Sequence, residues 1–281
     1  MDTVKSVQFG QLPAVCLQAP DGAQATITLF GAHLVSWSPA AGSERLFCSA
    51  QSALDGSKAI RGGMPLIFPQ FAARGDGMRH GFARVSTWRL AASGIEHGAA
   101  FAEFALSSAD PLAAAWPHGF ALLFRVTLKA NTLQLALRVR NTGSDAFSFA
   151  AALHTYFKVD DLAAAAIDGL ENTPYSNQTS SPPQSGRQSE RLLRCPDQLD
   201  RLYPAIPGEL VLWTGSSTLT LQQQGFNDAV VWNPGAADAA ALADLADEEF
   251  RHFICIEPAL IDPYRLEPGQ EWLGRHQLQC A

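Results

Sequence analysis

No apolar run in this chain approaches the roughly 18 to 20 residues of a membrane-spanning helix. The opening stretch, residues 1–10, carries no apolar core of the kind found in a signal peptide. The expectation is a cytoplasmic protein that does not enter a membrane. Cysteine is sparse: Cys16, Cys48, Cys195, Cys255 and Cys280 are scattered, odd in number and without a Cys-x-x-Cys pair. Structural zinc is therefore not expected, and isolated cysteines read as small core hydrophobes in a reducing compartment. None of the seven histidines forms a His-x-x-x-His pair, so no metal is expected. Positive charge is also short, with 20 Lys and Arg against 27 Asp and Glu for a formal net charge of −7. That balance argues against nucleic-acid or anionic-membrane partners and requires any anion site to be local.

What is present is apolar residue in abundance, 47% of 281 residues, enough for a large core; one domain spanning 1–281 is expected. The clearest periodicity lies in residues 132–140, where Leu133, Leu135, Leu137 and Val139 fall on one side and Gln134, Arg138 and Arg140 on the other. Period 2 is the signature of a half-buried strand. Residues 120–128, 132–140 and 146–158 are separated by Lys129-Ala-Asn131 and by a turn at 141–145, which predicts a meander. Further strands are expected at 25–37, 82–91, 99–107, 209–213, 217–223, 228–233, 251–258 and 271–279. So many short strands without a helix after each predict an all-β fold of two packed antiparallel sheets. The alanine-rich stretch 236–249 is expected to supply a helix, and residues 176–190, rich in Ser, Gln and Pro, a long loop. Trp37, Trp88 and Trp213 are assigned to the core.

Three stretches carry chemistry. Ile60-Arg-Gly-Gly-Met-Pro-Leu-Ile-Phe-Pro-Gln70 with Arg79-His-Gly-Phe-Ala-Arg84 gathers Arg61, Arg79 and Arg84 near His80. Arginine forks match phosphate or carboxylate oxygens, and Gly62 and Gly63 would let backbone amides approach a ligand. Ala151-Ala-Leu-His-Thr-Tyr-Phe-Lys158 and Phe253-Ile-Cys-Ile-Glu-Pro258 each hold one ionisable group, His154 or Glu257, in an apolar strand-like run. Burial raises a carboxyl pKa and lowers that of an imidazole, moving both toward neutrality. From these residues alone two readings of each stand: acid and base, or a backbone-bonded core histidine and a glutamate paired with arginine.

The chain resembles the hexose-6-phosphate mutarotases, also called glucose-6-phosphate 1-epimerases, of the aldose 1-epimerase superfamily. The matching pieces are Gly31-Ala-His-Leu-Val-Ser-Trp37, Ile60-Arg-Gly-Gly-Met-Pro65, His80-Gly-Phe-Ala-Arg84, Leu153-His-Thr-Tyr-Phe157, Asp200-Arg-Leu-Tyr203, Val231-Trp-Asn-Pro234 and Cys255-Ile-Glu-Pro258. The resemblance implies a galactose-mutarotase-like β-sandwich with few short helices acting on a hexose phosphate; the ring-opening chemistry calls for no cofactor, and a monomer is expected. It implies Glu257 as base at the anomeric hydroxyl, His154 as acid at the ring oxygen, Asp200 and His80 as sugar-hydroxyl contacts, and Arg61 and Arg84 as phosphate ligands. From the residues alone a turn role is favoured for Asp200, and His80 stands open between a ring-hydroxyl contact and a packed turn histidine. Arg79 departs from the family pattern, which has an uncharged polar residue there; it either enlarges the anion pocket or points to solvent, and Lys58 is a further candidate. Trp232, Tyr156 and Phe82 are candidates for the sugar face, with core packing the favoured role for Phe82. The competing functions are a sugar-phosphate binding protein without catalysis, a free-aldose mutarotase, and a glycoside hydrolase using Asp200 and Glu257.

Overall fold

The computed structural model describes residues 3–206 and 208–281. The strands among them pair antiparallel throughout the three sheets. A four-stranded sheet is built in chain order from Val4–Phe9, Leu12–Gln18, Gln24–Thr28 and Leu34–Ser38. One eight-stranded sheet contains Phe120–Lys129 and Thr132–Asn141 at its middle, with Glu271–Cys280 and Thr218–Gln224 beside them and Arg89–Glu96 at one edge. The second eight-stranded sheet is centred on the long strand Phe253–Leu266. Asp228–Asn233 lies on one side of that strand, and Phe147–Leu153 and Tyr156–Lys158 on the other. Leu199–Tyr203 pairs beyond Asp228–Asn233. This is the antiparallel, helix-poor sandwich expected from the strand count.

The main core is shared by all three sheets. Leu133, Leu135, Leu137 and Val139 are fully buried in it, as the alternation predicts, together with Trp37, Trp88, Phe104, Phe124 and Phe149. Burying each such side chain is worth about 1.5–3 kcal/mol. Along Phe253–Leu266 the same period sorts faces: Ile254, Ile256 and Leu260 enter the main core, while Phe253, Cys255, Ala259 and Ile261 join small clusters on the opposite face. Glu257 shares the parity of that second group, so the strand turns it away from the main core.

Several expectations need correction. The single strand expected at 25–37 is a hairpin, because Gly31 and Ala32 take positive φ (79° and 44°) and reverse the chain. The strand expected from 82 begins at Arg89; Ala83–Val85 instead forms a 3-10 turn closed by Trp88 Nε1 donating to the Ala83 carbonyl at 2.8 Å. The helix expected over 236–249 shortens to Gly235–Ala239, because the following residues are recruited to tertiary contacts described below. The loop expected over 176–190 contains most of a hairpin, Pro174–Asn177 with Gln184–Arg187. Trp213 is 48% exposed rather than buried, since Leu210 and Leu212 take the inward parity of its short strand. The strands Val4–Phe9 and Leu12–Gln18 add to those expected.

Candidate active site

Strand parity and register build the site floor. Asp200 pairs directly with Trp232, Val230 with Glu257, and Trp232 with Cys255. Asp200, Val230, Trp232 and Glu257 thus share the face of the second large sheet that looks away from the main core. The run expected as one strand over 146–158 breaks after Leu153. His154 N donates to the Pro65 carbonyl at 3.0 Å, and pairing resumes at Tyr156. That break turns His154 toward the same face. The loops 58–65, 71–84 and 242–244 wall a pocket of about 500 Å³ lined by Arg61, Arg79, His80, Arg84, His154, Tyr156, Asp200, Trp232, Asp244 and Glu257. Of the site residues expected from the sequence, Arg61, Arg79, His80, Arg84, His154, Tyr156, Asp200, Trp232 and Glu257 are therefore brought together, with Lys58 at the rim, while Gly62, Gly63 and Phe82 lie outside the lining.

His154 Nδ1 stands 3.3 Å from Glu257 Oε1. Neither His154 Nδ1 nor Glu257 Oε2 has an aligned hydrogen-bond partner among the described residues, although both atoms are buried. Burial, then the charge of Asp200, holds the Glu257 carboxyl well above the usual carboxylate range. Burial, then His80, Arg61 and Arg84, holds His154 well below the usual imidazole range. The Tyr156 ring stacks on the His154 ring at 4.9 Å with 9° between planes, and Trp232 meets His154 edge-on at 5.8 Å. Both rings restrict the imidazole's rotation.

His80 sits at φ 62° with Nδ1 accepting from the Ala72 N–H at 3.3 Å. Its pKa is pushed down to about 3 by burial and then by Arg84, Arg79 and Arg61. The ring is therefore neutral with its proton on Nε2, which makes Nε2–H a hydrogen-bond donor. Asp200 has its pKa pushed up to about 6 by burial, with Arg79 opposing.

The arginines differ in their partners. Arg61 Nε donates to Asp244 Oδ1 at 3.2 Å, its Nη2 lies 3.1 Å from the same oxygen, and Nη1 donates to the Tyr156 hydroxyl at 3.0 Å. Burial works against its charge, but Tyr156 and Asp244 hold the guanidinium pKa above its ordinary value. Arg84 Nη2 donates to the Arg79 carbonyl at 2.8 Å, its Nε is buried without a partner, and it has no carboxylate partner among the described residues. A half-buried cation without an anion is costly unless a ligand supplies one. Arg79 itself is exposed at the rim.

The glycine reading from the sequence is corrected. Neither Gly62 nor Gly63 lines the pocket: a Cβ on Gly62 would lie 2.4 Å from Cys48 Cα, one on Gly63 2.5 Å from the Leu34 carbonyl, and the Gly63 N–H donates to the Phe47 carbonyl. Their small size lets backbone segments pack. Phe82 is buried among Phe68, Trp116 and Phe120, in the core role favoured for it. Asp244 escapes a reading of the sequence, since an aspartate in an alanine-rich acidic stretch reads as a solvated helix face.

A family model described as aldose 1-epimerase matches residues 13–279. A protein of Cenchrus ciliaris named "putative glucose-6-phosphate 1-epimerase" is 34% identical over 96% of this chain and 85% of its own length. One of Salmonella typhimurium with the same name is 30% identical over 89% and 84%. The crystal structure of a "putative mutarotase" from Salmonella typhimurium superposes with a TM-score of 0.91 at 27% identity, covering 99% of this chain and 94% of that one. A galactose mutarotase-like protein from Clostridium acetobutylicum shares the fold, with a TM-score of 0.78 at 15% identity and 99% and 98% coverage.

Proposed function

Because this chain belongs to the aldose 1-epimerase family, we propose that it interconverts the α and β anomers of hexose 6-phosphates, glucose 6-phosphate first among them. The observation that carries the reading is one pocket holding both the His154–Glu257 contact at 3.3 Å and Arg84, a half-buried guanidinium without an acid partner among the described residues. The names of the relatives, glucose-6-phosphate 1-epimerases, support the choice of substrate.

Anomerisation needs a proton removed from the anomeric hydroxyl and another delivered to the ring oxygen, so that the ring opens to an aldehyde and recloses on the other face. Glu257 as carboxylate takes the first proton, and His154 as imidazolium gives the second. After opening, Glu257 is neutral and His154 is neutral, and reclosure reverses both transfers. The pair carries the same number of protons before and after, so no exchange with solvent is required. The pKa directions favour the neutral pair, and one proton moved from Glu257 to His154 gives the reactive form. A phosphate dianion against Arg61 and Arg84 offsets the repulsion that these two exert on a protonated His154.

In this reading Asp200 accepts from sugar hydroxyls, His80 donates from Nε2, and Trp232 covers the apolar face of the ring. Arg61 and Arg84 bind the phosphate, with Arg79 at the entrance. The core shared by all three sheets supports one domain over 1–281. The pocket is complete within one chain, so the reading needs no second copy, and the protein is read as a monomer. All five cysteines are free, which supports a reducing, cytoplasmic setting, and the acidic net charge supports the absence of nucleic-acid partners.

The test is proton magnetisation exchange between the α and β anomeric signals of glucose 6-phosphate, with free glucose and galactose alongside. Acceleration of the phosphosugar above the free sugars is expected. No acceleration for any sugar would leave a binding protein, and equal acceleration for all three would remove the phosphate from the account.

A further inference from the structure

We infer that Asp244 is a specificity-determining positioning residue, fixing Arg61 in the orientation that leaves N–H groups free for the substrate's phosphate. This rests on the proposed hexose-phosphate reading.

A guanidinium has five N–H donors. Asp244 Oδ1 engages Nε at 3.2 Å and Nη2 at 3.1 Å, and the Tyr156 hydroxyl takes one N–H of Nη1 at 3.0 Å. One N–H on each terminal nitrogen remains for an incoming anion. Without the carboxylate, the long arginine stem would be free to sample other rotamers, and binding a phosphate would have to restrict it. With it, the restriction is made on folding. The arrangement also ties the anion end of the pocket to the acid, because the hydroxyl that Arg61 grips belongs to the ring stacked on His154.

Asp244 is itself held by its neighbours. Leu245 is buried and Leu242 half-buried in a cluster with Phe47, Tyr156 and Phe253. A few residues on, Glu249 accepts from Ser49 Oγ at 2.6 Å, from Ala50 N at 3.0 Å and from Ala246 N at 2.9 Å. These anchors do not involve the Asp244 carboxylate, so the loop's placement survives its removal. They are also why the helix expected over 236–249 stops early. The carboxylate's contacts with Arg61 thus act on one side chain of the pocket and not on the fold.

The opposite outcome is physically reasonable and gives the test its force: a carboxylate beside a phosphate site also repels the phosphate and competes for Arg61. Dissociation constants for glucose 6-phosphate and for glucose are measured by isothermal titration calorimetry in the wild type, Asp244→Ala and Asp244→Asn. KM and kcat are taken from anomer exchange. If Asp244 positions Arg61, Asp244→Ala weakens glucose 6-phosphate by about tenfold, weakens glucose much less, and raises KM more than it lowers kcat. Asp244→Asn keeps an oxygen that can accept from Nε and Nη2 and recovers most of the loss. Unchanged or tighter phosphosugar binding in Asp244→Ala would overturn the inference and make the carboxylate a competitor; equal weakening of both sugars would reduce it to loop support. Failure of the underlying phosphate reading is seen separately, in a wild type that does not prefer the phosphosugar.

Discussion

On the outer face of the sheet centred on Phe120–Lys129 and Thr132–Asn141, polar side chains meet one another. Gln134 Nε2 donates to Gln277 Oε1 at 2.9 Å, Arg275 Nη1 donates to Gln224 Oε1 at 3.1 Å, Arg138 pairs with Glu271 at 2.8 Å and Arg125 with Glu103 at 2.8 Å. A hollow of about 390 Å³ lies there, its lining including Arg125, Gln134, Gln224, Arg275, Gln277 and the buried His276. In the pocket on the outer face of the sheet centred on Phe253–Leu266, His154 Nδ1, Glu257 Oε2 and Arg84 Nε are buried and make no aligned hydrogen bond among the described residues. Both faces are concave enough to hold a small molecule, and both are polar. They differ in degree: of the residues lining the first hollow only the inward-facing His276 keeps a buried atom, Nε2, without a partner among the described residues, whereas the second pocket has three such atoms, two of them on His154 and Glu257, which face each other at 3.3 Å. Buried polar groups are ordinarily satisfied, and three unsatisfied ones in a single pocket mark where ligand atoms belong.

The sharpest way to break this comparison is to remove the acid or the base. Glu257→Gln or His154→Gln should each slow anomer exchange of glucose 6-phosphate by about 10²–10⁴-fold, with near-native thermal unfolding as the control. A smaller but more selective loss is expected at the anion end: Arg84→Gln should cost the phosphosugar about 10- to 100-fold, the equivalent of one charge-assisted hydrogen bond, and affect free glucose less. Equal losses on both sugars would point to damaged packing.

Asp200 supplies a pH test. Its pKa is raised to about 6, so the carboxylate that accepts sugar hydroxyls is present above that value and is lost as pH falls through it. The rate over KM should therefore decline several-fold from pH 7 to pH 5, and Asp200→Asn should flatten that limb while lowering the plateau. The substrate phosphate has its own ionisation near pH 6, so a limb that persists in Asp200→Asn belongs to the phosphate. At the small end, Gln277→Ala on the better-satisfied face should leave the exchange rate at the wild-type value and change stability by within about 0.5 kcal/mol, checked by urea unfolding.

Much of this arrangement is legible in the order of the residues. Strict alternation assigns residues 132–140 their faces, and an isolated glutamate in Phe253-Ile-Cys-Ile-Glu257 stands out because burial without a partner is costly. Parity even implies that Glu257 and Cys255 share a face. Other parts are not legible, for physical reasons. The hairpin within 174–187 has little intrinsic strand preference and exists because Ser176 and Asn177 pair with Leu202 and Arg201. The stretch after Ala239 prefers helix by composition, but Leu245 and Glu249 are held by residues distant in the chain, and tertiary contacts override propensity. Asp244 is invisible for the same reason: its partner lies 183 residues away. The ligand role expected of Gly62 and Gly63 fails because a sequence signals a need for small residues without saying whether ligand or backbone approaches them.

The most direct measurement is anomer exchange of glucose 6-phosphate with Glu257→Gln and Gln277→Ala compared side by side against the wild type. The account predicts wild-type exchange for Gln277→Ala and catalysed exchange lowered by about 10²–10⁴-fold for Glu257→Gln. Full exchange in Glu257→Gln would contradict it, because the unsatisfied face would then not be where the proton is taken.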